Sequence, residues 1–104
     1  MRRLEIGEVV NYNQYSLAKV SAIHKEEYIL IDLDPTRQVQ NFSVRREYIF
    51  ALHDRVYTTP AISVELYRMG TIIFLGTSNT ISVILDGGNL AFVFFATKLV
   101  HEYE

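Results

Sequence analysis

Residues that could carry out acid–base or metal chemistry are few in this chain. His53-Asp54 places an imidazole beside a carboxylate, but neighbours on a strand point to opposite faces, and no serine or cysteine is placed to be activated. Asp32 and Asp34 have the i, i+2 spacing that puts two carboxylates on one strand face, as a metal site would need. No further ligand is placed beside them, and an aspartate before Pro35 commonly bonds the backbone of a turn. We therefore predict no catalytic residue, metal site or cofactor.

The remaining histidines and glycines add little chemistry. His24 and His101 could complete a site only through tertiary contacts that the sequence does not specify. Gly87-Gly88 is followed by another apolar run, whereas a phosphate loop leads into a helix N-terminus. The glycine pair therefore predicts a hairpin turn, and the chain is not expected to be an enzyme.

Basic residues and aromatic rings interleave in the first half of the chain. All the basic residues except Arg68 and Lys98 lie within residues 1–55. Such interleaving is typical of surfaces that bind single-stranded nucleic acid, but acidic residues are interspersed and the net charge is −2. A solvated mixed-charge face, a protein-binding surface and a nucleic-acid surface all stay open. The candidate binding residues are Tyr12, Tyr15, Phe42, Arg45, Arg46 and Tyr48.

Composition limits the class of protein. The chain has 104 residues, of which 49% are hydrophobic, so it fits one compact unit or two very small ones that share a core. It contains no cysteine, which excludes disulfides and thiolate metal sites and agrees with a reducing compartment. The first residues lack the apolar stretch of a signal peptide, and no run is long enough to cross a membrane. We expect a cytoplasmic protein with no membrane partner.

An internal repeat dominates the organisation of the sequence. The stretch Tyr28 to Asp34 reappears without a gap as Thr80 to Asp86, and the similarity extends back to Tyr15 and Tyr67. This repeat predicts a duplicated β unit. The segment before the repeated stretch reads as a strand in the first copy and a helix in the second, so the second copy is expected to lack its opening strand.

The first half reads as a small barrel. Short apolar runs separated by turn signals predict about five strands, as in small closed sheets. These runs are residues 7–12, 17–23, 28–33, 39–44 and 48–52. We therefore predict a mainly β protein with one helix, whose residues 1–56 form an SH3-like β-barrel unit.

The second half is predicted to contain a helix and a β meander. Thr59 can cap a helix, Pro60 suits its first position and Gly70 suits its end, so residues 57–70 are expected to link the copies. Residues 71–104 would then form a partial three-strand meander packed on the first unit. Its last strand, Leu90 to Ala96, lacks polar alternation, which predicts cover on both faces by the helix, the first half or another chain. Phe92 and Phe94 are its candidate interface residues, and a homo-oligomer through this half is one of the predicted alternatives.

Part of the chain resembles a known class of barrel. Gly7 and Val9, followed by residues 18–23 and 28–32, are similar to the small SH3-like barrels of the Tudor and KOW type, and Asp86-Gly87-Gly88-Asn89 is similar to the turn after the third Tudor strand. The resemblance implies an aromatic cage for methylated lysine or arginine, a site that depends on cation–π attraction. Tyr12 and Tyr15 would occupy its first-loop positions, while Leu33 and Gly87 stand where an aromatic often follows.

A second resemblance covers more of the chain. Residues 4–10, 58–70 and 99–102 are similar to small uncharacterised proteins encoded by phages and mobile elements of gut bacteria. It implies a phage or mobile-element origin and no assigned activity. We expect a non-catalytic binding module that engages a protein, in this context a host protein. The alternative is a nucleic-acid-binding accessory protein that uses the basic and aromatic face of the first half.

Overall fold

The computed structural model describes residues 1–12, 16–33, 41–58, 68–77 and 79–102 and is mainly β. It contains two antiparallel sheets of five strands each. Two short 3-10 turns are the helical segments of the described ranges, and no helix there is long and apolar enough to cross a membrane. The predicted mainly β class is confirmed.

The first sheet is built from the first half of the chain. Its strands are β1 Val9–Tyr12, β2 Ser16–His24, β3 Glu27–Asp32, β4 Phe42–Arg45 and β5 Ile49–Phe50. Their order in the sheet is β4-β3-β2-β1-β5. A 3-10 turn at Arg46–Tyr48 leads from β4 into β5, which pairs with β1.

The second sheet repeats this plan. Its strands are β6 Arg55–Thr58, β7 Arg68–Leu75, β8 Thr80–Leu85, β9 Ala91–Phe95 and β10 Leu99–His101. Their order is β10-β6-β7-β8-β9, and a 3-10 turn at Ala96–Lys98 precedes β10. The second unit therefore has its own opening and closing strands, where the sequence predicts a three-strand meander without an opening strand.

The region predicted as a linking helix is occupied by strand at both ends. Residues 57–58 belong to β6 and residues 68–70 to β7, while Thr59, Pro60 and the rest of residues 59–67 lie outside the described residues. Gly70 pairs with Val56 on one side and Leu85 on the other, so it does not end a helix. A Cβ atom at Gly70 would lie 2.5 Å from Val83 Cγ1 and 2.7 Å from the Ile84 carbonyl oxygen. A glycine is needed here because the strands approach closely. Glycine is also common at helix ends, so the residue type alone does not distinguish the two roles.

The pairing of β7 with β8 is shifted by one residue from the pairing that the ungapped repeat would copy from β2 and β3. Ala22 pairs with Ile29 in the first hairpin, whereas Phe74 pairs with Ser82 in the second. The sequence repeat instead matches Ile29 with Ile81, which is fully buried. A shift of one residue exchanges the inward and outward faces of a strand. The segment between the paired residues Leu75 and Ile81 is one residue longer than the segment between the paired residues Ile23 and Tyr28, so Ile81, and not Thr80, takes the position of Tyr28 in the second hairpin.

Each sheet encloses a hydrophobic cluster. The first cluster consists of buried residues from the first sheet and its flanking segments, namely Leu4, Val10, Ala18, Val20, Tyr28, Leu30, Ile49 and Ala51. The second consists of Phe50, Val56, Ile72, Ile81, Val83, Leu85, Ala96 and Leu99. Phe50 belongs to β5 of the first sheet but packs in the second cluster, so burial of its ring requires both units.

Strand β9 is more exposed than its sequence predicts. Val93 is 66% exposed and Phe95 is 61% exposed, although Phe94 packs against the second cluster. Within the described ranges, neither the first half nor a helix covers this strand on both faces. Cover by another chain is the alternative that stays open.

Replacing Gly70 with alanine is expected to lower the free energy of unfolding by about 2 kcal/mol, because the added methyl group must displace the backbone of β8. Gly88→Ala is the matched control, since its Cβ would lie 3.4 Å from the Leu85 carbonyl oxygen, an ordinary contact. Urea unfolding of both variants measures the difference. Equal stabilities would contradict the close approach at Gly70.

Candidate binding groove and the junction between the units

An open groove of about 470 Å³ lies on the first unit. Its lining combines aromatic, aliphatic and charged side chains from β1, β3, β4 and the first 3-10 turn. These are Tyr12, Glu27, Phe42, Ser43, Val44, Arg45 and Tyr48.

The wall of the groove forms because the first sheet curls. Tyr12 ends β1 and Phe42 begins β4, and these strands are separated in the sheet by β2 and β3. Their ring centroids nevertheless lie 4.5 Å apart, with an angle of 47° between the planes. Such tilted pairs are favourable for aromatic rings. The Tyr12 hydroxyl donates a hydrogen bond of 3.2 Å to Asp32 Oδ2, which fixes the orientation of the ring.

Tyr48 places a third ring at the groove. It is the last residue of the 3-10 turn and is 57% exposed. Tyrosine combines a large apolar face with a polar hydroxyl, and for this reason it is enriched where proteins contact partners. The exposed ring is therefore available to a ligand without any rearrangement of the core.

Charges of both signs lie beside these rings. Glu27 and Arg45 are cross-strand partners on β3 and β4. The Ser43 hydroxyl donates a hydrogen bond of 2.5 Å to Glu27 Oε2, and Arg45 Nε lies 3.3 Å from Glu47 Oε1. The rim of the groove thus carries carboxylates as well as a guanidinium, and part of the positive charge of Arg45 is offset locally.

The structure brings together most of the residues predicted to bind. Tyr12, Phe42, Arg45 and Tyr48 all line the groove, whereas Tyr15 lies outside the described residues. Arg46 is elsewhere: its side chain is 11% exposed and points into the junction between the units. The candidate residues predicted from the sequence did not include Glu27, whose signal was a carboxylate directly before the strand predicted over residues 28–33.

Arg46 is held by contacts from several parts of the chain. Its Nη2 atom lies 2.5 Å from Asp54 Oδ1, and its Nη1 and Nε atoms donate to the carbonyl oxygens of Ile49 and Arg2 at 2.7 and 3.0 Å. Asp54 is 2% exposed at its side chain and also accepts a hydrogen bond of 3.0 Å from the Ala51 amide. A buried ion pair needs such additional hydrogen bonds to compensate for lost hydration.

His101 completes the junction from the last strand of the second unit. Its ring stacks on Phe50 with centroids 4.5 Å apart, and Nε2 donates to the Ile49 carbonyl oxygen at 2.8 Å. Nδ1 lies 3.9 Å from Asp54 Oδ2. Burial lowers the pKa of the His101 imidazole below its ordinary value of 6.5, and the nearby Asp54 carboxylate opposes this shift without reversing it. The imidazole that contacts Asp54 is therefore that of His101. His53, which precedes Asp54 in the sequence, is exposed in a turn.

The second unit does not reproduce the groove. Thr58 ends β6 as Tyr12 ends β1, and each pairs with the first residue of the closing strand of its own unit. Phe95 and Lys98 take the places of Arg45 and Tyr48 around the second 3-10 turn. Two of the three groove rings thus have no aromatic counterpart, and the groove is specific to the first unit.

Comparison with known proteins gives no match to the chain, whether among protein-family models, curated proteins or solved structures. Within the described ranges, no three histidine, cysteine or acidic side chains cluster closely enough to hold a metal ion.

Replacing Asp54 with asparagine is expected to lower the free energy of unfolding by about 3–5 kcal/mol, because the Arg46 charge would stay buried without its counterion. Asp86→Asn is the matched control, since the Arg55–Asp86 pair is bidentate but exposed, and its loss should cost much less than loss of the buried pair. Chemical denaturation of the two variants provides the comparison. Similar losses in both would show that the junction pair has no special role.

Stability should fall as the pH drops below about 6.5, because unfolded His101 then binds a proton that folded His101 resists. A lowered folded pKa means that the unfolded state holds more protons in this range, so acid favours unfolding by up to about 1.4 kcal/mol per pH unit. His101→Gln should flatten this part of the profile, and the exposed His53→Gln should leave it unchanged. Denaturation midpoints are measured across this pH range. If both variants kept the wild-type dependence of stability on pH, His101 would not be the group responsible.

Proposed function

We propose that this protein is a non-catalytic binding module whose groove holds a short extended segment of another protein. The observation that carries the proposal is the convergence of Tyr12, Phe42 and Tyr48, from two strands and a 3-10 turn, on one open groove of about 470 Å³. Grooves lined by aromatic rings suit extended segments, because rings offer large contact areas at a low cost in conformational entropy.

The charges of the groove favour a segment that carries a basic side chain. Glu27 offers a carboxylate at the same groove as the rings, and ring faces attract cations. Arg45, the basic residue of the lining, lies within 3.3 Å of Glu47, which offsets its repulsion of a cation. A lysine or arginine of the ligand, methylated or not, would therefore contact both the rings and Glu27.

The same charges make nucleic acid the weaker candidate. A polyanion would approach the carboxylates of Glu27 and Glu47 and would gain little from Arg46, which is buried with Asp54. Binding to nucleic acid depends on basic groups that neutralise phosphates at the surface. Given the resemblance to phage and mobile-element proteins, we propose a host protein as the source of the bound segment.

The groove can be tested with a displayed library of random peptides selected on the wild-type protein. Selected peptides should share a basic residue next to an apolar one and should shift the NMR signals of Phe42, Val44 and Tyr48. Single-stranded RNA and DNA at low salt form the second arm. Binding of these oligonucleotides to the same residues, with no peptide selected, would overturn the proposal in favour of the nucleic-acid alternative.

Tyr48→Ala is expected to weaken a selected peptide by about tenfold or more, since buried aromatic contacts commonly dominate such interfaces. Phe74→Ala is the matched control, because Phe74 is 61% exposed and Tyr48 is 57% exposed, but Phe74 lies on the second unit away from the groove. Titration calorimetry measures both variants. A loss in Phe74→Ala with retained binding in Tyr48→Ala would move the binding site off the groove.

A further inference from the structure

Three exposed apolar side chains lie on one face of the second sheet, two of them on β9, the strand that ends this sheet. Phe74 on β7 pairs with Ser82 on β8, and Ser82 pairs with Val93 on β9, so these residues form a row across the sheet. Phe74, Val93 and Phe95 are 61%, 66% and 61% exposed. We use the term outer face for Phe74, Ser82, Val93 and Phe95. Exposed apolar patches of this kind mark interaction surfaces.

Strand β9 ends the second sheet, and no strand of the described ranges pairs with its other side. Its sequence, Ala91 to Phe95, contains no charge and no proline. Such an edge presents unpaired amide and carbonyl groups, which readily pair with a strand of another chain. A partner suited to this edge would therefore pair an uncharged strand of its own with β9.

The corresponding edge of the first unit is protected. Ser43 on β4 holds the position of Val93, because Ser43 pairs with Ile29 as Val93 pairs with Ser82. Strand β4 ends in Arg45, which is 63% exposed at its side chain and pairs with Glu27 across the strands. Charged side chains on an edge strand oppose edge-to-edge pairing. The two copies thus differ at this edge, and only β9 keeps the features of a pairing strand.

A second copy of β9 fits this edge in an antiparallel register centred on Val93. In that register Val93 faces Val93 of the other copy, and Phe95 faces Ala91, so a large side chain meets a small one on the outer face. On the opposite face Phe92 meets Phe94, which gives two aromatic cross-strand pairs. Cross-strand pairs of this kind stabilise sheets, and a two-fold axis makes every contact occur twice.

From this self-complementarity we infer that the protein forms a two-fold homodimer in which β9 pairs with β9 and the second sheets join into one sheet of both copies. The dimer interface is separate from the groove of the first unit, so the assembly presents two grooves. Two linked grooves would bind a partner that carries repeated segments more tightly than one groove does.

The inference is tested by light scattering on the wild type and on single-charge variants at the two-fold axis. The wild type should be a dimer, whereas Val93→Lys and Val93→Asp should each be monomeric, because like charges meet at the axis. An equimolar mixture of the two variants should form a dimer again, since opposite charges then meet. Ser43→Lys, at the matching position of the protected edge, should remain dimeric, and circular dichroism should show that all variants are folded.

Several outcomes would overturn the inference. They are a wild type that stays monomeric at high concentration, a dimer that persists in Val93→Lys, and a mixture of variants that fails to associate. The absence of cysteine offers an independent check, because Val93→Cys introduces a unique thiol at the axis. Oxidation should link this variant into a covalent dimer, whereas Ser43→Cys should stay unlinked.

Discussion

The rest of the structure depends on the buried ion pair between Arg46 and Asp54 at the junction of the two units. Arg46 comes from the 3-10 turn of the first unit and Asp54 from the link that leads into β6, and His101 reaches the same place from the last strand. Charges so little exposed are tolerated only when each is paired and hydrogen-bonded. Because Phe50 of β5 lies in the second hydrophobic cluster and His101 lies 3.9 Å from Asp54, separation of the units would expose the Phe50 ring and remove His101 from the ion pair.

The two copies of the β unit have different surfaces. The first keeps aromatic rings and charges around β4 and its 3-10 turn, which form the groove. The second replaces Arg45 and Tyr48 with Phe95 and Lys98 and turns the matching edge strand into an apolar one. The proposed binding groove therefore lies in one copy and the proposed dimer edge in the other, and the Arg46–Asp54 junction lies between them.

The local features of the fold could be predicted from the sequence, and the long-range ones could not. The β-branched runs around residues 28–33 and 80–85 identify β3 and β8, since their composition alone favours strand. Gly70 was misleading because close strand contact and helix termination select the same residue type. Tyr12, Phe42, Arg45 and Tyr48 were predicted as binding candidates because aromatic and basic residues cluster in the first half, and all four line the groove. Burial of Arg46 was missed, since it depends on the chain folding both Asp54, eight residues later, and the Arg2 carbonyl group onto the guanidinium.

The most direct test of this account is native-state hydrogen exchange of the wild-type protein. Amides of β3 lie in the first sheet and amides of β8 in the second, so their slowest members report the opening of each unit separately. If the junction makes the two units one cooperative structure, the slowest amides of both strands will exchange with the same opening free energy. Exchange of β8 at a clearly lower free energy than β3, or the reverse, would show that the units open independently and would contradict the account.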